Sequence, residues 1–384
     1  MKPAVQGHEA FRVVYNPSPA TFPASTRNPD LLAFHRRLPG YAPTPLVSAP
    51  EAARHLGVRQ VWVKDEASRL GLPAYKILGA SWATYRAVEE RCGPFKEWAT
   101  LSDLAAQLRP SSGLTVVAAT DGNHGRAVAR MARWLGLEAH ILVPQDMVEV
   151  RREAIASEGA RVTVVEGSYD DAVDASARLS GDAHLVISDT AWDGYEQIPA
   201  WVIEGYATIY GEIDEQLRAQ RAAQPDLVAV QIGVGSLAAS VVQHYRRPGS
   251  LTQIIGVEPT RADCVRRSVE AGHLVEVPGP HDSVMSGLNC GRPSPVAWPL
   301  VSGGIAAFVA ISDARTEDAM RLLAQDGVVS GESGAAGLGG VTQLLESADH
   351  WGCLGLNGAS SVLVISTEGA TDPAAYARIV GGHD

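Results

Sequence analysis

Short apolar runs alternate along the chain with longer stretches that are amphipathic or rich in alanine. This alternation is typical of strands joined by helices in a parallel sheet, so the pattern predicts an α/β protein. The predicted strands are Gln60 to Lys64, Thr115 to Ala119, Ala139 to Val143, Arg161 to Val165, His184 to Ile187, Leu227 to Ile232, Gln253 to Val257, Ala307 to Ile311 and Ser361 to Ser366.

The spacing of these elements predicts two domains. Three successive strand-helix units between Thr115 and Ile187 suggest a small sheet inserted into a larger one. We therefore predict a large domain of residues 1–87 and 191–384 and a small domain of residues 88–190. Apolar residues from about Tyr195 to Leu217 recur with a period close to 3.6 residues, which predicts one long core helix.

The composition and net charge of the chain exclude several classes of protein. The chain has 384 residues, 46% of them hydrophobic, and a net charge of −11, which excludes a disordered protein. An acidic chain without a basic block is not expected to bind nucleic acid or an anionic membrane. The apolar runs are far shorter than the ~20 residues that a membrane-spanning helix needs. Four scattered cysteines and a polar start to the chain indicate a reducing cytoplasm, and no metal site is predicted.

A loop of small residues follows the strand that ends at Ile232 and precedes a predicted helix. Free main-chain amides at such a junction bind phosphate. The spacing also satisfies a dinucleotide fingerprint, and Glu258 ends the next strand near where a ribose-binding acid would lie. The loop therefore indicates a phosphate ligand without identifying it, and a tight turn that serves only helix packing is the alternative. Its residues are Gly233, Val234, Gly235, Ser236 and Leu237.

A lysine begins an otherwise apolar predicted helix. Lys76 lies in Ala74-Tyr-Lys-Ile-Leu-Gly-Ala80, in a chain with few lysines. Desolvation lowers the pKa of a lysine and makes its amine a nucleophile toward aldehydes, as a Schiff base requires. The alternative is an exposed lysine near a helix end.

A second strand ends in the turn Thr120-Asp-Gly-Asn-His-Gly125, which leads into a predicted helix from Arg126 to Leu135. Amides at a helix start suit a carboxylate, and Asn123 can donate to a phenolate oxygen. Asp121 is either a functional acid or the N-cap of the helix. His124, like most buried histidines, is more often structural than catalytic.

Together these segments resemble pyridoxal-phosphate enzymes of the tryptophan-synthase-β fold, fold type II, and within them the diaminopropionate ammonia-lyase family. The resemblance covers about residues 40 to 375, with the motifs in the same order. Asp121 stands where serine and threonine dehydratases carry Ser. The motifs are Thr44-Pro-Leu46, Val63-Lys-Asp-Glu66, Gly71-Leu-Pro-Ala-Tyr-Lys76, Thr120-Asp-Gly-Asn-His-Gly-Arg126, Asp189-Thr-Ala-Trp-Asp-Gly-Tyr195, Gly233 to Leu237, Ser330-Gly-Glu-Ser-Gly-Ala335 and Ser366-Thr-Glu-Gly369.

The resemblance implies two open twisted α/β sheets, in a large and a small domain, with pyridoxal phosphate between them. It makes Lys76 the Schiff-base lysine, Asn123 the partner of the cofactor's O3′, and the Gly233 to Leu237 loop the phosphate cradle. Ser366 is expected to face the pyridine nitrogen, with Thr367 in its place if the alignment shifts by one. A hydroxyl there does not hold a proton on the nitrogen, which favours β-elimination over transamination.

The family converts 2,3-diaminopropionate of either hand to pyruvate and ammonia. Lys76 is expected to take the Cα proton from one face and Asp121 from the other in the D-isomer. Asp121 or Asp189 is expected to protonate the leaving amine, and a helix cap is the alternative for Asp189. A homodimer is implied by the same resemblance. The other expected substrate contacts are Thr120, Gly122, His124, Ser286, Asn289 and Glu332, the last with a solvated loop acid as its alternative.

Three other functions stay open from the sequence. Ser286 and Asn289 stand where the family has small residues, so a lyase or β-replacement synthase acting on another β-substituted amino acid, as in the serine and threonine dehydratases, is one. A nucleotide-dependent oxidoreductase built on Gly233 to Glu258 is the second, but it leaves Lys76 unexplained. The third, a non-catalytic ligand-binding protein, is expected to have lost the lysine, the phosphate loop or the pyridine partner.

Overall fold

The computed structural model describes residues 12–23, 29–108 and 113–381, which form two sheets flanked by helices. The larger sheet has the strand order β1-β10-β9-β8-β11-β3-β2, and the smaller one the order β6-β5-β4-β7. The strands are β1 (Arg12–Tyr15), β2 (Leu46–Ser48), β3 (Gln60–Asp65), β4 (Thr115–Ala119), β5 (Glu138–Pro144), β6 (Arg161–Val165), β7 (His184–Val186), β8 (Leu227–Gln231), β9 (Gln253–Pro259), β10 (Ala307–Ile311) and β11 (Ser361–Ser366).

The strand predictions are confirmed to within two residues at each end. Two strands were not predicted, β1 and β2, which have four and three residues and lie at the two edges of the larger sheet. Both pair antiparallel to their neighbours, whereas the other described pairings are parallel. Such short edge strands lack the apolar run by which a buried parallel strand is recognised.

Helices connect the strands, and in the described part of the chain none is long and apolar enough to cross a membrane. They are α1 (Pro29–Arg36), α2 (Pro50–Leu56), α3 (Ile77–Cys92), α4 (Leu101–Leu108), α5 (Asn123–Leu135), α6 (Glu149–Ala156), α7 (Tyr169–Ala177), α8 (Gln197–Gly205), α9 (Ala207–Ala219), α10 (Ser236–Tyr245), α11 (Cys264–Ala271), α12 (Trp298–Gly304), α13 (Asp313–Gln325), α14 (Glu332–Leu345), α15 (Ala348–Leu354) and α16 (Pro373–Val380).

The prediction of one long helix from Tyr195 to Leu217 is wrong, because the chain turns at Tyr206 between α8 and α9. α8 crosses α3 closely there: a Cβ on Gly205 would lie 2.7 Å from the Cα of Gly79. Tyr206 is fully buried, and its ring centroid lies 4.8 Å from that of Tyr75. Both helices bury apolar side chains, so the apolar positions in the sequence do not reveal the break between them.

The smaller sheet is parallel throughout, and its four strands lie between residues 115 and 186, whereas the strands of the larger sheet lie outside that range. In the chain, the strands of the smaller sheet therefore lie between strands of the larger one. The boundaries at 88 and 190 stay a prediction.

A buried ionic cluster fixes β3 against α9. Lys64 Nζ lies 2.8 Å from Glu212 Oε2, and Arg69 lies 2.7 Å from carboxylate oxygens of both Glu212 and Glu66. The side chains are at most 2% exposed. Removing one partner of such a group costs about 3–5 kcal/mol, because it leaves an uncompensated buried charge. Lys64 and Glu66 of the Val63 to Glu66 motif thus hold the segment that precedes Lys76.

Candidate active site

A cleft of about 600 Å³ lies where the loops after β4, β7, β8 and β11 converge. Carboxyl ends of parallel strands are the usual place for a ligand in open α/β sheets. Residues that were predicted from the sequence and line the cleft are Lys76, Asp121, Asn123, Asp189, Gly233, Val234, Gly235, Ser236 and Leu237. Further lining residues are Tyr75, Tyr169, Gln231, Gly287, Leu288, Cys290, Ser333, Thr367 and Glu368.

Lys76 occupies the N-cap position of α3 and extends into the cleft. Its Nζ donates to Oδ2 of Asp189 at 2.5 Å, and the Lys76 side chain is only 16% exposed. The alternative of an exposed lysine at a helix end is therefore wrong. Tyr169 Oη donates to Oδ1 of the same carboxylate at 3.1 Å.

The expected lowering of the Lys76 pKa is also wrong. Burial does act to lower it, but the Asp189 carboxylate holds the pKa of Lys76 well above its usual range. The reverse holds for Asp189: burial opposes its ionisation, yet Lys76 holds the pKa of this carboxyl well below its usual range. A sequence shows the apolar neighbours of a lysine but not the carboxylate that the fold brings from 113 residues away.

Asp121 follows β4 and does not cap α5, whose N-cap residue is Gly122. Thr120 Oγ1 instead accepts from the main-chain N–H groups of Gly122 and Gly125, both at 2.9 Å, and so stabilises the turn. Asp121 lines the cleft. Burial raises the pKa of Asp121 to about 6, with Asp189 adding to this and Lys76 opposing it. Asp121 can therefore exchange a proton near neutral pH.

The loop after β8 leads directly into α10. Gly235 has a φ of 103°, which glycine adopts without strain. A Cβ on Gly233 would lie 3.1 Å from the carbonyl oxygen of Gly287 and 3.2 Å from Sγ of Cys290. The loop thus exposes main-chain amides and a helix start to the cleft, as a phosphate needs. Ser236 Oγ donates to the main-chain oxygen of Asp189 at 2.6 Å and ties the loop to the lysine's partner.

Glu258 does not reach the cleft. Its carboxylate accepts from the N–H groups of Val265 and Arg266 at 2.8 and 2.7 Å, at the start of α11. Burial raises its pKa to about 8. The acid that a ribose would need is engaged in holding a helix, which removes the sequence argument for a nucleotide-dependent oxidoreductase.

Asn123 and Glu368 meet across the cleft. Asn123 Nδ2 donates to Glu368 Oε2 at 2.5 Å, and Glu368 Oε1 accepts from the N–H of Ser333 at 3.1 Å. Glu368 is 3% exposed. One amide proton of Asn123 therefore has a fixed partner, and the second is free for a ligand oxygen.

Ser366 is not among the residues that line the cleft. It is fully buried, and its Oγ donates to Oγ of Ser330 at 2.8 Å. Thr367 lines the cleft in its place, and its Oγ1 accepts from Gln231 Nε2 at 2.7 Å. The geometry differs from the predicted Ser366 contact by one residue, since successive side chains at a strand end point to opposite sides.

His124 lies beneath the cleft. It is 1% exposed, and its Nε2 donates to the main-chain oxygen of Ile187 at 2.8 Å. Its Nδ1 lies 3.9 Å from Asp189 Oδ2. Burial lowers the pKa of His124, which favours the neutral ring, and its Nδ1 has no hydrogen-bond partner among the described residues. His124 is not among the residues that line the cleft.

The remaining predicted substrate contacts lie outside the lining. Ser286 Oγ is bonded by the guanidinium of Arg151, and Asn289 Nδ2 donates to the main-chain oxygen of Ser283 at 2.8 Å. Glu332 is buried in the first turn of α14, so it is not a solvated loop acid. Burial raises its pKa. Gly122, between Asp121 and Asn123, has a φ of 147° and shapes the turn.

Several lining residues could have been found from the sequence and others could not. Thr367 was the sequence alternative to Ser366, Glu368 and Ser333 lie inside motifs already recognised, and Gln231 lies two residues before the phosphate loop. Tyr169 begins α7 with no motif around it, and only the fold brings it to Asp189. Among the described residues, no group of three or more His, Cys, Asp or Glu is placed to hold a metal ion.

Comparison with known proteins identifies the family of this chain. The family model described as pyridoxal-phosphate dependent enzyme matches residues 37–367. The diaminopropionate ammonia-lyase of Escherichia coli K12 is 36% identical over 359 residues, which cover 90% of this chain and 89% of that protein.

Solved structures give the same result. The Escherichia coli diaminopropionate ammonia-lyase in complex with D-serine superposes with a TM-score of 0.88, at 34% identity and 97% coverage of each chain. The same enzyme with an aminoacrylate-PLP azomethine reaction intermediate gives a TM-score of 0.84, with the same identity and coverage. The chain therefore belongs to the pyridoxal-phosphate-dependent enzymes and, among them, to the diaminopropionate ammonia-lyase family.

Proposed function

We propose that this protein is a carbon–nitrogen lyase that converts 2,3-diaminopropionate and water to pyruvate and two molecules of ammonia. The observation that carries the proposal is the placement of Lys76 and Asp121 in one cleft, beside an amide-rich loop. Lys76 is paired with Asp189, whereas Asp121 is left to meet a ligand.

The residues present fit pyridoxal phosphate. The Lys76 amine would anchor the aldehyde, the loop from Gly233 to Leu237 would hold the phosphate, and the free amide proton of Asn123 would meet the phenolate oxygen. Thr367, rather than Ser366, would place its hydroxyl at the pyridine nitrogen, because only Thr367 lines the cleft. When bound, this cofactor withdraws electrons from the amino acid's Cα–H bond.

Two groups of this chain can take the Cα proton. Lys76, once its amine is free, accepts it on one side of the bound amino acid, and the Asp189 carboxylate then stabilises the resulting ammonium at 2.5 Å. Asp121, with a pKa of about 6, accepts it on the other side in the D-isomer. With these two roles, one cleft would act on both enantiomers of the substrate.

Asp121, rather than Asp189, is the residue that would keep the leaving amine protonated. Lys76 holds the pKa of Asp189 well below its usual range, against the effect of burial, so Asp189 has no proton to give near neutral pH. The Asp121 carboxylate pairs with a β-ammonium group and keeps it protonated as it departs. Two unit charges 4 Å apart attract by about 4 kcal/mol at an effective dielectric constant of 20, before desolvation.

No observation favours a different β-substituent. Ser286 and Asn289, the polar residues that suggested one, are turned to Arg151 and to the main chain of Ser283. Gly287 and Leu288 line the cleft between them. This stretch of the cleft wall therefore presents no side-chain hydrogen-bonding atom.

Pyruvate formation by purified, cofactor-loaded protein tests the proposal. We expect kcat/KM for 2,3-diaminopropionate to exceed that for serine and threonine, because Asp121 attracts an ammonium and offers nothing extra to a hydroxyl. Asp121→Ser, which introduces the dehydratase residue, should reduce this preference. A higher kcat/KM for serine in the native protein would replace the proposal with a dehydratase.

We further propose a homodimer in a reducing cytoplasm. The family resemblance supports the dimer, and the small number and wide spacing of the cysteines support the compartment. Size-exclusion chromatography with light scattering measures the mass of the protein in solution, which should be twice the 40.6 kDa of one chain. A monomeric mass would contradict the dimer.

A further inference from the structure

Gln231 ends β8, lines the cleft and contacts Thr367, which follows β11. It is 3% exposed. Its amide nitrogen has four acceptors within reach: the main-chain oxygens of Ser333 at 2.9 Å, Gly334 at 3.3 Å and Ile365 at 3.0 Å, and Oγ1 of Thr367 at 2.7 Å. The hydroxyl of Thr367 is the shortest of the four contacts.

These contacts fix the orientation of the amide. If the amide of Gln231 were reversed, its oxygen would face three main-chain carbonyl oxygens, which cannot donate. The nitrogen therefore faces Thr367, and Oγ1 of Thr367 accepts. Gln231 Oε1 has no hydrogen-bond partner among the described residues and sits against α14, 3.4 Å from where a Cβ on Gly337 would lie. An unsatisfied buried oxygen costs free energy, so this orientation is retained at a cost.

We propose that Gln231 is a positioning residue that sets the polarity of the Thr367 hydroxyl, so that it donates, and does not accept, toward the cofactor's pyridine nitrogen. A hydroxyl has one proton. One amide proton of Gln231 engages a lone pair of Oγ1, and the other is shared among the three main-chain oxygens around the amide nitrogen. The hydroxyl proton of Thr367 is thereby directed into the cleft. A ring nitrogen that meets a donor stays unprotonated, which suits elimination over transamination.

This inference rests on the proposed function, because it needs pyridoxal phosphate in the cleft. Its test is the nitrogen-15 chemical shift of ring-labelled cofactor in the loaded protein. In the native protein we expect the shift of an unprotonated nitrogen that accepts a hydrogen bond. Thr367→Val removes the hydroxyl and should move the resonance toward that of a free pyridine, while Thr367→Ser should leave it in place.

Gln231→Met keeps the length of the side chain and removes its donor. The Thr367 hydroxyl should then turn its proton to one of the vacated main-chain oxygens, and the resonance should move in the same direction as in Thr367→Val. The double variant should move it no further than either single variant, since both act on one hydrogen bond. Should Gln231→Met fail to fold, Gln231→Leu replaces it, because it also removes the donor that engages Thr367 and should give the same shift.

Gln60→Met is the matched control, since Gln60 also donates from its amide to a main-chain oxygen, that of Val61 at 2.8 Å, but begins β3 and does not line the cleft. Its resonance should equal the native one. An unmoved resonance in the Gln231 variant, beside a moved one in Thr367→Val, would overturn the inference while leaving the function intact. A native protein that binds no cofactor and forms no pyruvate would instead show that the proposed function had failed.

Discussion

The ammonium nitrogen of Lys76 lies 2.5 Å from Oδ2 of Asp189, and the two side chains are 16% and 5% exposed. This pair joins the start of α3 to the segment that follows β7, so it connects the two sheets at the cleft. Through Ser236, whose hydroxyl donates to the Asp189 main chain, the same contact reaches the phosphate loop. The pair therefore links the groups expected to bind the two ends of the cofactor.

Asp189→Asn tests the contribution of this pair to stability. The pKa of Asp189 lies well below its usual range, because Lys76 outweighs the effect of burial. Such a carboxylate stabilises the fold above its unfolded pKa of about 3.9, and this stability is lost as the pH falls below that value. Breaking a buried pair costs about 3–5 kcal/mol, so the cofactor-free variant should melt well below the native protein at pH 7. The difference should shrink near pH 3, and equal melting temperatures at pH 7 would contradict the assignment.

Asp121→Asn should have the opposite effect on stability. Burial first of all, with Asp189 adding to it, raises the pKa of Asp121 to about 6. A carboxyl with a raised pKa costs the folded state least when it is protonated. The stability of the native protein should therefore fall as the pH rises from about 4 to about 6, and stay lower above pH 6. The cofactor-free variant should gain about 1–3 kcal/mol at pH 8 and little at pH 4. Denaturant unfolding at the two pH values measures this, and a gain that is the same at both would count against a buried ionised Asp121.

The same variant separates the two enantiomers of substrate. An amide cannot accept the Cα proton, so Asp121→Asn should lose turnover of D-2,3-diaminopropionate by a factor of about 10² to 10⁴ more than turnover of the L-isomer. Values of kcat/KM for both isomers measure the gap. Equal losses would show that Asp121 is not the base for one face.

Gly235→Ala tests the phosphate loop. With a φ of 103° and an added Cβ 3.2 Å from that of Ala297, the alanine should destabilise the protein by about 1–2 kcal/mol. It should also weaken cofactor binding, measured by titration of the cofactor-free protein. Gly249→Ala is the matched control, because Gly249 has a φ of 86° and open space around it. It should lose stability but not cofactor affinity, and unchanged affinity in Gly235→Ala would argue against a phosphate at this loop.

The strands and the order of the motifs were predictable from the sequence because a buried parallel strand is a continuous apolar run and a nucleophile or phosphate loop is a local feature. The break at Tyr206 was not, and the close contact beside it joins Gly205 to Gly79, which belongs to a helix distant in the sequence. The edge strands β1 and β2 have too few residues to show a period.

In the site, residues within recognisable motifs were predictable, whereas properties that depend on residues distant in the sequence were not. Lys76 and Asp121 were recognisable from their own segments, but the raised pKa of Lys76 depends on Asp189, more than 100 residues away. Thr367 and Ser366 are adjacent in the sequence, and only the direction of their side chains at the end of β11 distinguishes them. Ser286 and Asn289 were predicted to contact substrate because their side chains are polar. In the structure those side chains bond to Arg151 and to the main chain of Ser283, and neither residue lines the cleft.

Borohydride reduction of the cofactor-loaded protein, followed by peptide mass mapping, tests the central assignment most directly. The chain has four lysines, of which Lys64 is buried in an ion pair with Glu212. We expect the pyridoxyl label on Lys76 alone, with loss of pyruvate formation from 2,3-diaminopropionate, and no label or turnover in a folded Lys76→Ala variant. A label on another lysine, or native turnover in Lys76→Ala, would contradict the assignment.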